Sequence, residues 1–238
     1  MKTAIQNPFV KIGNAFQDLF YPPVCIHCQR IIEQPGGIPI LCDPCLRLLL
    51  PLPAEFSQVH IINRLHPCYI DELWIAFEFN EVIRLLLHGI KYQKMPRLGM
   101  RIGEYASENF RNKLKAVGDN LVLPIPLHTV RKKEREYNQS SYVARGIFEE
   151  TEANIVENLL IRRRYTASQT KLNRMKRKLN VKDAFSLRDK SMVQDDMVVL
   201  VDDVVTTGAT MNECARLLKE NGVSKIIGVA LATPVEGE

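Results

Sequence analysis

No stretch of this 238-residue chain stays apolar for the ~20 residues that a membrane-spanning helix needs. Its opening stretch, MKTAIQNPFVKIGNAF, breaks its apolar positions with Asn, Lys and Gly, so the continuous apolar segment of a secretory signal is missing too. A cytoplasmic location is expected. There is no internal repeat and no low-complexity tract. The Lys of G-x-x-x-x-G-K-[ST] is missing and G-x-G-x-x-G does not occur, which excludes a P-loop and a dinucleotide fingerprint. One segment lacks acid altogether: Arg162 to Lys182 holds nine Lys or Arg and no Asp or Glu. The whole chain carries a net charge of +5, so everything outside that segment is net negative. The positive excess is local, as for an anion site, and not spread over a generally basic surface.

What is present begins with a hydrophobic fraction of 46%, enough for a full core. The length suits one medium domain or one domain plus a small module. Of six cysteines, four form two C-x-x-C pairs. Cys25 and Cys28 lie in CIHC, Cys42 and Cys45 in CDPC, with thirteen residues between the pairs. In a cytosolic chain this reads as metal binding before disulfides. Zn²⁺ takes four soft ligands tetrahedrally, each knuckle offers two, and QPGG lets the chain double back. A segment this small has little core, so the metal would supply its stability, about 10–16 kcal/mol in comparable peptides. A redox C-x-x-C would need only one pair, in a βαβ setting. His27 is an alternative ligand inside the first knuckle. Cys68 and Cys214 stand alone, and Cys214 reads as a buried apolar residue.

Apolar spacing predicts a short amphipathic helix over Pro8 to Phe20, ended by the prolines of YPPVC. LLLPLPAEFSQ, with Pro51 and Pro53, is a plausible linker. It divides the chain into 1–55, helix and metal module, and 56–238, a larger domain. DELWIAFEFN alternates at period two and predicts a half-exposed strand. EVIRLLLHGIKY, RLGMRIGEYASENFRNKL, NQSSYVARGIFEE and TMNECARLLKENG predict helices, the last closed by Gly222. NLVLPIPLH predicts a short strand running into a proline-bounded loop. MVVLV and KIIGVALAT predict strands buried on both faces. Strands alternating with helices imply an open, mostly parallel α/β sheet flanked by helices.

The chemistry concentrates at VVLVDDVVTTGAT. The strand is expected to end at Val201, which leaves Asp202 and Asp203 at its carboxyl end, where open α/β sheets bind ligands. The small residues and glycine that follow let backbone N–H groups converge on an anion at a helix N-terminus. Thr206, Thr207 and Thr210 can add hydroxyl donors. The acids cannot hold phosphate, but they suit neighbouring hydroxyls on a sugar. The order is sugar, then phosphate: a ribose 5-phosphate cradle. An acidic turn capping a helix is the plainer alternative.

This apolar run, Asp-Asp, Thr-Thr-Gly and Thr resemble the phosphoribosyl pyrophosphate (PRPP) loop of type I phosphoribosyltransferases. The resemblance implies their fold and gives the residues roles. Asp202 and Asp203 would hold the ribose hydroxyls and favour the positive charge that develops at the anomeric carbon. Thr206, Thr207, Gly208, Ala209 and Thr210 would wrap the 5-phosphate, and Mg²⁺ would neutralise the leaving pyrophosphate. LPIPLH looks like the pyrophosphate loop, with Pro126, Leu127 and His128 at its tip and Arg131, Lys132, Lys133 and Arg135 following. An ordinary turn with a solvated charge run is the alternative there. The basic segment occupies the place of the flexible loop of these enzymes. Its Lys171, Arg174, Arg177 and Lys178 would grip pyrophosphate, unless they form a solvated basic face.

PIPLHTVRKKEREYNQS, QTKLNRMKRKLNVKDAF, LLLHGIKY and the cysteine pairs together resemble the competence protein F (ComF) family. One departure is visible: the family has glycine before the aromatic-Asn-Gln, and this chain has Glu136. The resemblance implies handling of incoming single-stranded DNA during natural transformation. Three functions remain open: an active phosphoribosyltransferase, whether in DNA uptake or in nucleotide metabolism; a DNA-handling component that keeps the PRPP pocket for binding or regulation; and a metal module that docks a DNA translocase or helicase. The acceptor is not legible.

Overall fold

The computed structural model describes residues 22–33, 36–53, 55–164, 181–193 and 195–235. The helix expected over Pro8 to Phe20 lies outside them, as do Lys171, Arg174, Arg177 and Lys178. The chain divides into two compact units, Met1–Leu48 and Leu49–Glu238. Among its described residues the first contains one short helix, α1 (Asp43–Leu46), directly after Cys42.

The second unit is built on five strands: β1 (Glu72–Glu78), β2 (Leu121–Pro124), β3 (Asn154–Ile155), β6 (Met197–Val204) and β7 (Lys225–Thr233). They form one sheet in the order β1-β7-β6-β2-β3, and every neighbouring pair is parallel. Between β3 and β6 the chain makes a separate antiparallel pair, β4 (Leu160–Arg162) with β5 (Phe185–Leu187). The main helices are α2 (Phe56–His60), α3 (Glu81–Tyr92), α4 (Pro96–Ser107), α5 (Arg111–Leu114), α6 (Thr129–Arg135), α7 (Gln139–Ile147) and α8 (Ala209–Lys219).

The parallel sheet follows from its sequence. Val198 to Val201 and Ile226 to Ala232 apart from Gly228 are buried apolar residues, as strands covered on both faces require. Leu73, Ile75, Leu121, Leu123, Val198, Leu200 and Ile226 share one core cluster with Met211, Cys214 and Leu218 of α8. α7 packs on β6 and β2, and α4 packs on α7. α3 starts where Asn80 Oδ1 accepts from the Ile83 N–H at 3.1 Å. α8 ends with Gly222 at φ 100°, the Val223 N–H on the Leu218 carbonyl and the Gly222 N–H on that of Lys219. This is the glycine stop expected from the sequence.

Three expectations are corrected. The strand in DELWIAFEFN is buried on both faces, because it sits in a parallel sheet and its outer edge is covered. The cover is the supposed linker: the Leu52 N–H donates to the Ala76 carbonyl at 3.1 Å and the Glu78 N–H to that of Leu50 at 3.0 Å. Pro51 is tolerated there because an edge position needs no further donor. The long helix expected from Arg97 onward is interrupted: α4 ends at Ser107, whose Oγ bonds back to the Glu104 carbonyl at 2.7 Å, a 3-10 turn spans Glu108–Phe110, and α5 carries the helix on to Leu114. The third correction concerns the acids. β6 continues past Val201, with Asp202 opposite Ala230 and Val204 opposite Ala232, because β7 stays apolar and extended to Thr233. Asp202 and Asp203 belong to the strand itself.

Two helices meet with no room between their backbones. A Cβ on Gly146 of α7 would lie 2.1 Å from the Met100 carbonyl oxygen of α4, which is backbone and cannot turn aside. Gly146→Ala is expected to destabilise the protein by about 3 kcal/mol, at the upper end of overpacking costs, in urea denaturation followed by circular dichroism.

Candidate sugar-phosphate site and metal centre

Connections leave β2 and β6 in opposite directions across the sheet, β2 towards β3 and β6 towards β7. The two strands are neighbours, so their carboxyl ends flank a topological switch point, where such sheets bind ligands. The Ile125 N–H donates to the Val201 carbonyl at 2.8 Å and ties the two exits together.

At the end of β6 the two acids have different surroundings. Asp202 Oδ1 accepts from Ser140 Oγ at 3.1 Å and from the Asp203 N–H at 2.9 Å. Asp203 Oδ2 pairs with Lys91 Nζ at 2.5 Å, and its Oδ1 accepts from the Val204 N–H at 2.9 Å. Burial pushes the Asp202 carboxyl up, the Asp203 charge adds to this, and the donors offset only part, leaving it at about 7. Burial also opposes the ionisation of Asp203, but Lys91, and Arg135 behind it, outweigh burial and hold it below the usual carboxylate value. One acid is thus anchored as a carboxylate, while its neighbour stands near the border between charged and neutral.

Beyond the acids the chain wraps a small recess of about 40 Å³, lined by Asp202 and by Val204 to Met211. Thr206 is exposed, Thr207 and Thr210 are half-buried, and Thr207 Oγ1 accepts from the Ala209 N–H at 3.4 Å. Gly208 takes φ 72° as the residue before α8, and a Cβ there would lie 2.8 Å from Ile61 Cγ2. Only glycine meets both demands. The recess presents hydroxyls and the N-terminal N–H groups of α8, the donor types that favour an anion.

The loop after β2 is arranged differently from a bare anion loop. His128 Nδ1 accepts from the Val130 N–H at 3.3 Å, capping α6. Pro126 and Leu127 line a cavity of about 140 Å³ with Asn138, Ser141 and Arg162. Arg135 lies with its guanidinium carbon 5.5 Å from the centre of the Tyr92 ring, on the Lys91 side of the site. Glu136, where the family resemblance has glycine, is at φ 70°. The reason for glycine is plain: the position closes α6 in a left-handed conformation that disfavours any side chain.

Sequence reasoning missed Lys91, Ser140 and Asn138. Lys91 carries a readable signal: it follows Leu87 by four residues and Ile83 by eight, so it falls on the buried stripe of α3. A lysine on such a stripe needs a carboxylate. Ser140 has no comparable signal. It reaches Asp202 only because α7 packs on β6, and Asn138 Nδ2 holds the start of α7 by donating to the Ile125 carbonyl at 3.0 Å.

In the first unit, the four sulfurs of Cys25, Cys28, Cys42 and Cys45 all lie within 4.8 Å of one another. Cys28 Sγ and Cys42 Sγ are 3.6 Å apart. A zinc ion at about 2.3 Å from each sulfur would set them roughly 3.8 Å apart, so the spacing fits. The electrostatics fit too. Burial opposes ionisation of Cys25, yet the N–H groups of Cys28, Cys42 and His27 bring it down to about 6. Burial and the other three sulfurs push Cys45 far up. Four thiolates cannot coexist here without a cation among them, and the residues can hold a metal ion such as zinc. His27 Nδ1 is 3.2 Å from Cys45 Sγ, in contact with a ligand sulfur and outside the four-sulfur cluster.

The comparisons with known proteins agree with this architecture. The phosphoribosyl transferase domain model matches residues 92–238. The chain belongs to the phosphoribosyl transferase domain family, in its competence protein F branch. It is 28% identical to competence protein F of Haemophilus influenzae over 220 residues, 85% of this chain and 93% of that protein. It is 30% identical over 207 residues to DNA utilization protein YhgH of Escherichia coli strain K12, and 29% identical to that of Salmonella typhimurium. Both alignments span 85% of this chain and 87% of the relative. Among the described residues no helix is long and apolar enough to cross a membrane.

Two outcomes follow. Asp202 stands at about 7 when folded, against about 4 in an unfolded chain. Between those values the folded state keeps a proton that the unfolded state has released, so this group's contribution to stability falls as pH rises from about 4 to about 7. Asp202→Asn is expected to be more stable than the parent at pH 8, on the order of 2 kcal/mol, with the gain vanishing near pH 4, in thermal melts across that range. Cys25→Ser is expected to bind far less metal than the parent in elemental analysis, and chelation of the parent to release its metal and melt the first unit.

Proposed function

We propose that this protein binds PRPP at the carboxyl end of β6 and acts in DNA uptake for natural transformation, handling incoming single-stranded DNA in the cytoplasm. The observation that carries the PRPP reading is the half-buried Asp202–Asp203 pair followed at once by the recess of Thr206 to Thr210. The acids would take the ribose hydroxyls, Asp203 after exchanging Lys91 for them. Thr206, Thr207, Gly208, Ala209 and Thr210 would take the 5-phosphate. Pro126, Leu127 and His128 lie at the neighbouring strand end, and Arg135 stands behind Lys91. With Lys171, Arg174 and Arg177 of the basic segment, they would meet the pyrophosphate. Mg²⁺ would arrive with PRPP, neutralising its phosphates, and the two carboxylates are oxygen donors of the kind it accepts.

Phosphoribosyl transfer is the chemistry this arrangement suits, with Asp202 and Asp203 as the catalytic pair that favours positive charge on the sugar. The DNA role rests on the relatives, which are named for competence and DNA utilization. The cysteine unit is proposed to hold structural zinc. Its exposed Val24, Ile31 and Leu48 leave apolar surface suited to a partner such as a DNA translocase or helicase.

Calorimetry with PRPP and Mg²⁺ tests the reading. The parent is expected to bind, and Asp202→Asn with Asp203→Asn to weaken binding at least tenfold, with folding checked by circular dichroism. A parent that binds no PRPP sinks the proposal. Binding without pyrophosphate release, whatever base, amine or nucleic acid is offered, would make PRPP a regulator and not a substrate.

A further inference from the structure

Next to the sugar acids lies a recess of about 140 Å³ that the proposed PRPP contacts leave largely unused. It is lined by Lys91, Tyr92, Lys94, Glu134, Arg135 and Tyr137, where the end of α3 meets the end of α6. One of its walls is Lys91, the partner of Asp203. The recess is therefore separated by that one side chain from the carboxylate proposed to face the sugar.

The two tyrosines are not equivalent. Tyr137 is fixed: its hydroxyl donates to the Ile90 carbonyl and its ring meets Tyr142 edge-on at 5.4 Å. It is a wall. Tyr92 is 63% exposed, more than any other large apolar side chain among the described residues. The Arg135 guanidinium lies over one face of its ring at 5.5 Å and the His88 ring meets it at 5.1 Å, tilted by 44°, while most of the side chain still meets solvent. An oriented, open aromatic ring beside cations is a stacking platform for a nucleobase.

The charges suit the phosphate attached to that base. Lys91, Lys94 and Arg135 line the recess, against the single carboxylate of Glu134. Arg131, Lys132 and Lys133 continue along α6. Lys94 pairs with Glu136 at 2.5 Å, but both side chains are more than 60% exposed, so the pair is weak and Lys94 can turn to another anion. Lys94 at φ 53° and Glu136 at φ 70° both hold left-handed backbone, a cost of the kind found at ligand-binding rims.

We infer that this recess binds single-stranded nucleic acid, with a base stacked on Tyr92 and its phosphate on Lys94 and Arg135, and brings the strand beside the PRPP site. The inference deepens the reading of the preceding subsection in placing the strand next to the sugar acids, but strand binding itself does not depend on PRPP.

Fluorescence anisotropy with labelled oligodeoxythymidylate and oligouridylate on the full-length, metal-loaded protein tests it. Tyr92→Ala is expected to weaken binding about tenfold, as removal of one stacking partner does, while Tyr92→Phe stays near the parent. Lys94→Gln is expected to lower the slope of log K against log salt by about one. PRPP affinity of Tyr92→Ala, read by calorimetry, is expected to match the parent. Stronger binding of oligouridylate with the same Tyr92 dependence supports the site with RNA as the strand. The inference is overturned if a folded Tyr92→Ala variant binds both oligonucleotides like the parent, or if the parent binds neither. A parent that ignores PRPP but loses oligonucleotide affinity at Tyr92→Ala fails the PRPP reading and keeps this one.

Discussion

Two adjacent carboxylates at the end of a buried strand stay folded only if something compensates for their charge. Here the strand's own N–H groups supply part of the compensation, and the rest comes from outside it: Lys91 from α3 for Asp203 and Ser140 from α7 for Asp202. The rest of the larger unit can be understood as the means of delivering those two groups. α3 has to bury its apolar stripe so that Lys91 reaches inward. α7 has to approach α4 closely enough that Gly146 touches the Met100 carbonyl, which sets where Ser140 falls. The compensation is incomplete, since Asp202 stays near neutrality. An incompletely satisfied carboxylate costs stability and leaves the site ready for hydroxyl donors, a compromise common at functional sites.

The parallel sheet makes this arrangement possible. Because β6 lies between β2 and β7, its carboxyl end opens at a switch point with another loop beside it. The same direction of chain places the start of α8 after the acids, so one continuous stretch offers first carboxylates and then backbone donors. Carboxylates and backbone donors are therefore ordered along the chain, whereas the basic side chains beside them come from α3 and α6.

The cysteine unit obeys a different constraint. Its described residues have Cys25, Ile32, Ile38, Leu41 and a few neighbours as their core and bury little apolar surface. Its four sulfurs gather closely enough to obstruct one another's ionisation, and a metal ion among them would turn that repulsion into the main stabilising force.

Much of this was legible in one dimension. The C-x-x-C spacing, the buried runs at Val198 and Ile226 and the order Asp-Asp-Thr-Thr-Gly depend on neighbours along the chain, and local geometry carries them into three dimensions. Partners distant in sequence were not legible. Ser140 lies 62 residues from Asp202 and meets it through helix packing alone. The stretch Leu50–Leu52 resembles a linker until the bare edge of β1 gives it hydrogen bonds. Glu136 was an unexplained departure until its φ of 70° showed why glycine suits the position. By itself the sequence determined the order of carboxylates, hydroxyls and glycine in this stretch, because that is set by adjacency. Only the tertiary structure decided which acid stays ionised and which recess stands beside it, because desolvation and pairing arise where separate elements close on one another.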